Sequence, residues 1–537
     1  MNQLPFSSIN YGTCTLPEGR MVTKALLEGC IKGVGKFGRT SVFPCGIFQF
    51  SKEINGYPGT PNYDLFKLAI KSTVKRLYPN YANVEWSVNK AAIKYDRDVK
   101  TKYLNSLSDT DKLILKDFLA RHTNIKDMLR LSISDEGAIV PVMESYPDEI
   151  MGTMGCRTYN GADINFGEVF EANIKKAISG EENEEAYINL WSAAQKDGRG
   201  NIVPETIILP TLAKECKDLN ENVYKELSEK KRLDKSEVDS MSLIDRFMEY
   251  LDCEIENSKN SLIKRYKYIC SQSPSSAAFM WDNKIMAGYV PEEGIVSAMK
   301  HGTLAIGQLG LAETLIILIG KDHTTEEGME LAKRIESLYA KRCKEYKNIF
   351  KLNFGVYYTP AENLSYTAMT KFKARFGKVP GVTTYPEGPD KGKDKTFFTN
   401  SIHVPVYHKV SVFDKVDIES KLTGYSSAGC ITYVEFGDTA VNNERAVEQN
   451  VVYAMEHDIP YHAINVFSDT CNACGYQGVI PEGKPCPKCG ETHDIDRLRR
   501  VTGYLTADYR KAFNKGKQDE ADHRENHTDT LCNWKEL

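Results

Sequence analysis

The stretch CNACGYQGVIPEGKPCPKCGETHDIDRLRRVTGYL, residues 471–505, decides how the chain is read. It holds two Cys-x-x-Cys pairs, Cys471/Cys474 and Cys486/Cys489, with eleven residues between them, and a glycine follows each pair, Gly475 and Gly490. Each knuckle offers two thiolates on a tight turn, and two knuckles complete a tetrahedral zinc site. Glycine permits the turn that aims the sulfurs inward. Four sulfurs leave no open coordination position, so the zinc is expected to be structural, with an apparent binding energy of about 10–16 kcal/mol coupled to local folding. A redox dithiol pair is the other use of the same cysteines. His493 reads as a loop histidine. Farther on, Arg499-Arg-Val-Thr-Gly-Tyr-Leu505 carries Gly503, which by itself is an ordinary loop glycine.

Working outward, 537 residues allow three or four average domains, or one large barrel with additions. Charged residues make up 26% and the net charge is −4, so there is no basic field for a nucleic-acid polymer. The N-terminus lacks a charged and then apolar leader pattern, so no signal peptide is expected. Thr303–Ile319 is apolar but contains Gln308, Glu313 and internal glycines, and reads as a buried helix rather than a membrane span. Fourteen cysteines without a secretory signal favour reduced thiols, metal ligation or catalysis, which places the protein in the cytoplasm.

Short β-branched runs at 41–50, 202–209 and 430–436 alternate with longer helical stretches, giving an α/β chain. The longest helical block is expected from about Leu212 to Tyr268, broken near Asp234–Ser236, and another helix from about Thr324 to Tyr346 with a hydroxyl and acidic start. Pro380–Lys393 reads as an exposed loop. The last twenty or so residues are charged and expected to be mobile. Gly33-Val-Gly-Lys-Phe-Gly38 spells a dinucleotide fingerprint, but no clear strand precedes it and no convincing helix follows, so it is set aside.

The Arg-Val-x-Gly-Tyr-Leu segment after a four-cysteine site resembles the C-terminal radical loop of the anaerobic (class III) ribonucleoside-triphosphate reductases. Met154-Gly-Cys156-Arg-Thr158 is similar to the finger-loop motif of that family, and Arg199-Gly-Asn201 to a following substrate-binding segment. Ordered matches run through Pro5–Thr13, Pro17–Arg20, Phe43-Pro, Ile47-Phe, His301–Gly307, Gly310–Glu313, Thr359–Glu362, Thr399–Pro405, Gly429 and Ile431–Glu435. The resemblance implies a ten-stranded α/β barrel with a small C-terminal zinc module: a barrel region at 1–465 with its finger loop at about 148–205, the module at 466–495, and the radical loop and tail at 496–537. It further implies that Gly503 stores a radical. Only glycine lacks a side chain at Cα, so the radical spreads over both flanking amides unobstructed.

Cys156, alone a cysteine of the buried kind, becomes by resemblance the thiol that forms a thiyl radical. Asn201 becomes a ribose contact, with a plain turn asparagine as its other use. Glu362 is either an active-site carboxylate or a helix-start glutamate. The implied reaction is anaerobic reduction of ribonucleoside triphosphates. It implies an activating enzyme using S-adenosylmethionine and an iron–sulfur cluster, formate or a thioredoxin-like protein as reductant, and a homodimer. Another glycyl radical enzyme and a non-catalytic zinc-bearing fragment are the alternatives. Family members carry some two hundred residues ahead of the Pro5–Thr13 segment, so the chain is expected to be half of a split enzyme with a separate N-terminal chain, a truncated product, or an incomplete chain.

Overall fold

A computed structural model describes residues 7–142, 152–153, 159–195, 199–283, 285–436, 443–466, 468–501, 504–506 and 508–527. Fourteen strands occur among them. They are β1 (Ser8–Tyr11), β2 (Cys45–Phe50), β3 (Asn80–Asn83), the hairpin β4 (Leu131–Ile133) and β5 (Ile139–Pro141), β6 (Asn201–Ile208), β7 (Thr303–Leu309), β8 (Asn353–Tyr358), β9 (Thr432–Glu435), β10 (Tyr461–Asn465), β11 (Ser468–Cys471), β12 (Gln477–Gly478), β13 (Ile495–Val501) and β14 (Tyr504–Thr506).

Two sheets organise the α/β body, in the orders β1-β2-β3-β10-β9 and β6-β7-β8. Pairing is parallel throughout except between β3 and β10. A parallel bridge from Tyr357 to Gly429, with Tyr358 N donating to Gly429 O at 3.0 Å, joins β8 to the segment that leads into β9. Strands β6 to β10 therefore run one way and β1 to β3 the other. No ten-stranded barrel closes among the described residues: β1 and β6 each pair on one side only.

The three runs at 41–50, 202–209 and 430–436 hold β2, β6 and β9. The expected long block is four helices, Leu209–Lys217, Glu221–Lys231, Lys235–Ser240 and Leu243–Cys270. Its foreseen break is a capping box, in which Glu237 N donates to Asp234 Oδ1 at 2.9 Å and Asp234 N to Glu237 Oε2 at 2.8 Å. The helix Glu326–Phe350 starts at Thr325, whose hydroxyl accepts from Gly328 N at 3.2 Å. Thr303–Ile319 is not one buried helix. It is strand β7 and then the helix Leu311–Ile319, separated by Gly310 at φ 82°. A parallel strand covered on both faces is apolar at every position, so it lacks the alternation that separates strand from buried helix. All seven residues of β7 are buried. Among the described residues no helix is long and apolar enough to cross a membrane.

Two large apolar clusters fill the body, one around β6 to β8 and one around β1 to β3, β9 and β10. Each fully buried Leu, Ile or Phe contributes about 1.5–3 kcal/mol, so these clusters dominate the fold's stability. The first encloses the acid Glu336. Glu336 is wholly buried and receives Gln308 Nε2 at 3.0 Å, and burial pushes its carboxyl up to about 8. The folded value thus lies above the unfolded one. Below pH 4.5 both states hold the proton and the contribution is fully present; between about 4.5 and 8 only the folded state does, and stability falls as pH rises. Roughly 5 kcal/mol of pH-dependent stability is expected from this group. Urea unfolding midpoints measured across that window should lose most of this slope in Glu336→Gln.

Candidate functional site

The two cysteine knuckles have the geometry their spacing predicts. Cys471 and Cys489 sulfurs are 3.6 Å apart, Cys474 and Cys486 sulfurs 3.7 Å, and all four lie within 4.8 Å of one another. A tetrahedral site with zinc–sulfur bonds of about 2.3 Å requires separations near 3.8 Å, so these four residues fit zinc. Gly475 N donates to Cys471 O and Gly490 N to Cys486 O, each at 2.9 Å. Both glycines sit in the left-handed region, at φ 73° and 79°. Burial opposes ionisation of Cys486, but backbone N–H groups of Lys488 and Cys489 and the neighbouring thiols bring it down to about 7. A thiolate is the form that binds metal.

The Gly33–Gly38 fingerprint is part of this module's seat. Val34 and Arg39 bridge to close a small tongue after the helix Pro17–Lys32. Gln477 Nε2 donates to Phe37 O at 2.6 Å and to Gly38 O at 3.1 Å, and the Phe37 ring lies where a Cβ on Gly475 would stand, 2.5 Å away. Arg76 ties the two bodies further, donating to Ile31 O and, at 2.8 Å, to Gln477 Oε1. Gly33 and Gly38 serve close backbone packing, since a Cβ on either would stand within 2.7 Å of a backbone oxygen.

The module is registered directly on the strand that leads to Gly503. Cys471, on β11, pairs with Ile495 on β13, and β13 runs on to pair Val501 with Tyr504 of β14. Thr502 and Gly503, which join that pair, lie outside the described residues. Their neighbours are buried: Val501 is 1% exposed and Leu505 4%. Arg500 is 1% exposed and donates to Asn80 Oδ1 at 2.7 Å and Leu77 O at 2.6 Å, under the ring of Tyr78. Beyond the hairpin the tail is packed rather than mobile as far as His527. The helix Lys515–Asp522 buries Gly516 and Glu520, and Asp519 accepts from Tyr385 Oη and Thr396 N. Acidic residues whose partners come from distant loops do not announce themselves in a charged run.

Cys156 also lies outside the described residues, while the stems of its loop are described and clamped. Asn10 Nδ2, on β1, donates to Thr153 O at 3.0 Å, and Tyr159 N donates to Ala428 O at 3.2 Å. Asn201 Nδ2 donates to the same Ala428 carbonyl at 3.1 Å, and its buried Oδ1 has no hydrogen-bond partner among the described residues. Asn201 therefore adjoins the exit stem of the Cys156 loop. Glu362 is not brought there. It opens the helix Glu362–Phe376 beyond the far end of β8, with its carboxylate 3.5 Å from Lys517 Nζ. Asn201 lies level with the first residue of β8, Asn353, so a strand length of roughly 20 Å separates the two.

Residues 2–527 match the family model described as anaerobic ribonucleoside-triphosphate reductase. The chain belongs to that family. It is 27% identical to the anaerobic ribonucleoside-triphosphate reductase of Escherichia coli over 98% of its own length and 59% of that protein's. For the enzyme of that name from Enterobacteria phage T4 the identity is 26%, over 98% of this chain and 68% of the relative. The chain thus spans about three-fifths of the Escherichia coli relative. A solved structure titled anaerobic ribonucleotide reductase shares the fold with a TM-score of 0.56 at 13% identity, over 98% of this chain and 64% of that one.

In this reductase-family chain one buried polar cluster escaped the sequence. His301 Nδ1 lies 2.6 Å from Asp163 Oδ2, Asn353 Nδ2 donates to Asp163 Oδ1 at 2.8 Å, and Asn160 Nδ2 donates to Arg199 O at 2.9 Å. Burial works against the Asp163 carboxylate, yet the His301 hydrogen bond and the Arg199 charge hold it below its usual range. These groups anchor the loop stem to the starts of β7 and β8. The signal was present in the His301-Gly-Thr and Arg199-Gly-Asn segments, but their partner Asp163 lies 138 residues from His301.

Proposed function

We propose that the chain carries the radical chemistry of anaerobic ribonucleoside-triphosphate reduction, with Gly503 and Cys156 as its two radical-bearing residues. One observation carries this. Tyr159, just after the Cys156 loop, and Leu505, two residues past Gly503, belong to the same large buried apolar cluster, so both loops rise from one apolar core. There a Gly503 radical would take the hydrogen atom from the Cys156 thiol, and the thiyl would take the ribose 3′-hydrogen. The 2′-hydroxyl leaves as water, and an external two-electron reductant, formate or a thioredoxin-like protein, completes the reduction. Exclusion of water and oxygen protects these intermediates. Zinc on Cys471, Cys474, Cys486 and Cys489 would be structural. An activating enzyme using S-adenosylmethionine and an iron–sulfur cluster installs the radical, since glycine has no means to generate it. The setting is the cytoplasm and the working form a homodimer.

Asn201 is the proposed ribose contact, because its buried unpartnered Oδ1 needs a donor such as a hydroxyl. Asn201→Ala should lower kcat/KM about tenfold to a hundredfold, roughly 1.4–2.8 kcal/mol. Glu362 is proposed as a contact remote from the ribose, and its replacement should cost less. A second reading concerns assembly. The edges of β1 and β6, unpaired among the described residues, support a ten-stranded barrel whose two remaining strands would lie between them, supplied from outside the described residues or by a separate N-terminal chain. Anaerobic electron paramagnetic resonance and a deoxynucleotide assay after activation test both readings. A doublet and product from the chain alone support the first. Product only after addition of the N-terminal segment of a longer relative supports the second, and neither signal in either mixture would leave a non-catalytic fragment.

A further inference from the structure

The hairpin β13–β14 poses a backbone problem that its own ladder does not solve. Two residues join Val501 to Tyr504, so these two form the hydrogen-bonded closing pair, and the next pair, Arg500 with Leu505, turns its N–H and C=O groups away from the hairpin. Among the described residues the pairing of β11 with β13 ends at Leu498 and does not reach them. A buried carbonyl without a partner costs about 1–3 kcal/mol. Arg524 supplies the partner: its Nη1 donates to Arg500 O.

Arg524 is itself held from two directions. Nη1 is 3.2 Å from Glu435 Oε1, at the end of β9, and Nη2 is 3.1 Å from Glu520 Oε1, one helical turn back in the tail. Glu435 Oε1 in turn accepts Asn465 Nδ2 of β10 at 2.7 Å. The Arg524 side chain is 10% exposed, and Glu435 and Glu520 are 18% and 8%. Arg500 is thereby gripped at both ends, by its side chain at the start of β3 and by its carbonyl through Arg524 at the ends of β9 and β10. A guanidinium suits the task because its fixed fork serves two acceptors and a carbonyl at once, which an ammonium on a flexible stem does not.

We propose that Arg524 is a positioning residue for the radical chemistry, clamping the Arg500 carbonyl to Glu435 and Glu520 so that the glycine-bearing hairpin is held in register against the five-stranded sheet. This rests on the reading of Gly503 as the radical residue. The clamp acts through the backbone of β13 and touches no substrate.

Amide hydrogen exchange and radical yield, read on the full chain with any N-terminal segment that activity requires, test it. In Arg524→Ala, exchange across 498–506 should rise at least about tenfold while exchange across 470–490 and the zinc content stay at parental values, and the glycyl doublet should fall at least about tenfold. Arg524→Lys, which keeps the charge and loses the fork, should show the same pattern at intermediate size. It is the measurement that decides if the alanine variant does not fold. Parental exchange at 498–506 in the variants would overturn the clamp. A doublet of parental yield in variants with accelerated exchange would overturn its role in positioning. Absence of a doublet in the unchanged protein would instead overturn the reading of Gly503, and the radical role of the clamp with it.

Discussion

Gly503→Ala is expected to eliminate the glycyl doublet and all product, whereas Cys156→Ser is expected to keep the doublet and lose product by at least about a thousandfold. Alanine at position 503 places a methyl group on the α-carbon, which crowds the planar radical and blocks its spread into both amides. Serine at 156 keeps size and polarity, but its O–H bond is too strong for the glycyl radical to break, so the stored radical persists with nowhere to go. A thousandfold loss corresponds to roughly 4 kcal/mol of transition-state stabilisation, the scale at which a chemical participant rather than a structural residue has been removed. Spectroscopy and product formation together separate the roles. Loss of the doublet in Cys156→Ser would assign that residue to radical installation, and product from Gly503→Ala would remove Gly503 from the reaction.

Metal removal is expected to have the second largest effect. Structural four-thiolate zinc carries about 10–16 kcal/mol of apparent binding free energy at neutral pH, and much of it is folding energy of the surrounding module. Cys471 is both a proposed ligand and a member of β11, paired with Ile495 on β13. Losing the metal therefore slackens the strand that leads to Gly503. A one-residue slip of β13 would turn Arg500 from the sheet to the opposite face, away from Asn80 and Leu77. Chelation, or Cys471→Ser, should abolish the metal, raise amide exchange throughout 468–501 and reduce radical yield at least about tenfold, while β6 to β8 keep their protection. Re-addition of zinc should restore the chelated protein but not the variant. A metal-free protein with parental radical yield would leave the zinc module without a part in holding the hairpin.

Much of the site could be read because its chemistry is local. A tetrahedral metal takes ligands with two residues between them on a knuckle, so four cysteines and two glycines within twenty residues announced themselves before any fold was known. The capping box at Asp234 and the hydroxyl start at Thr325 were legible for the same reason, since a helix end recruits a side chain from within its first turn. The apolar run at 303–319 misled because full burial removes the periodicity on which the choice between strand and helix depends. The Gly33–Gly38 fingerprint could be rejected from its flanks, but its use as the seat of the zinc module could not be found, because Gln477 lies 440 residues from Phe37.

By itself, then, the sequence determined the paired cysteine knuckles, the alternation of helices and strands, and through resemblance the two residues proposed to bear radicals. The tertiary structure alone decided what surrounds them. It brought the Arg524 guanidinium to the Arg500 carbonyl, joined Asn201 and Tyr159 on one Ala428 oxygen, and set Glu362 a strand length from Asn201. The physical reason is range. Ligation and capping work within a turn and are written in spacing, whereas a buried carbonyl or carboxylate takes whichever partner the packing of distant strands brings to it.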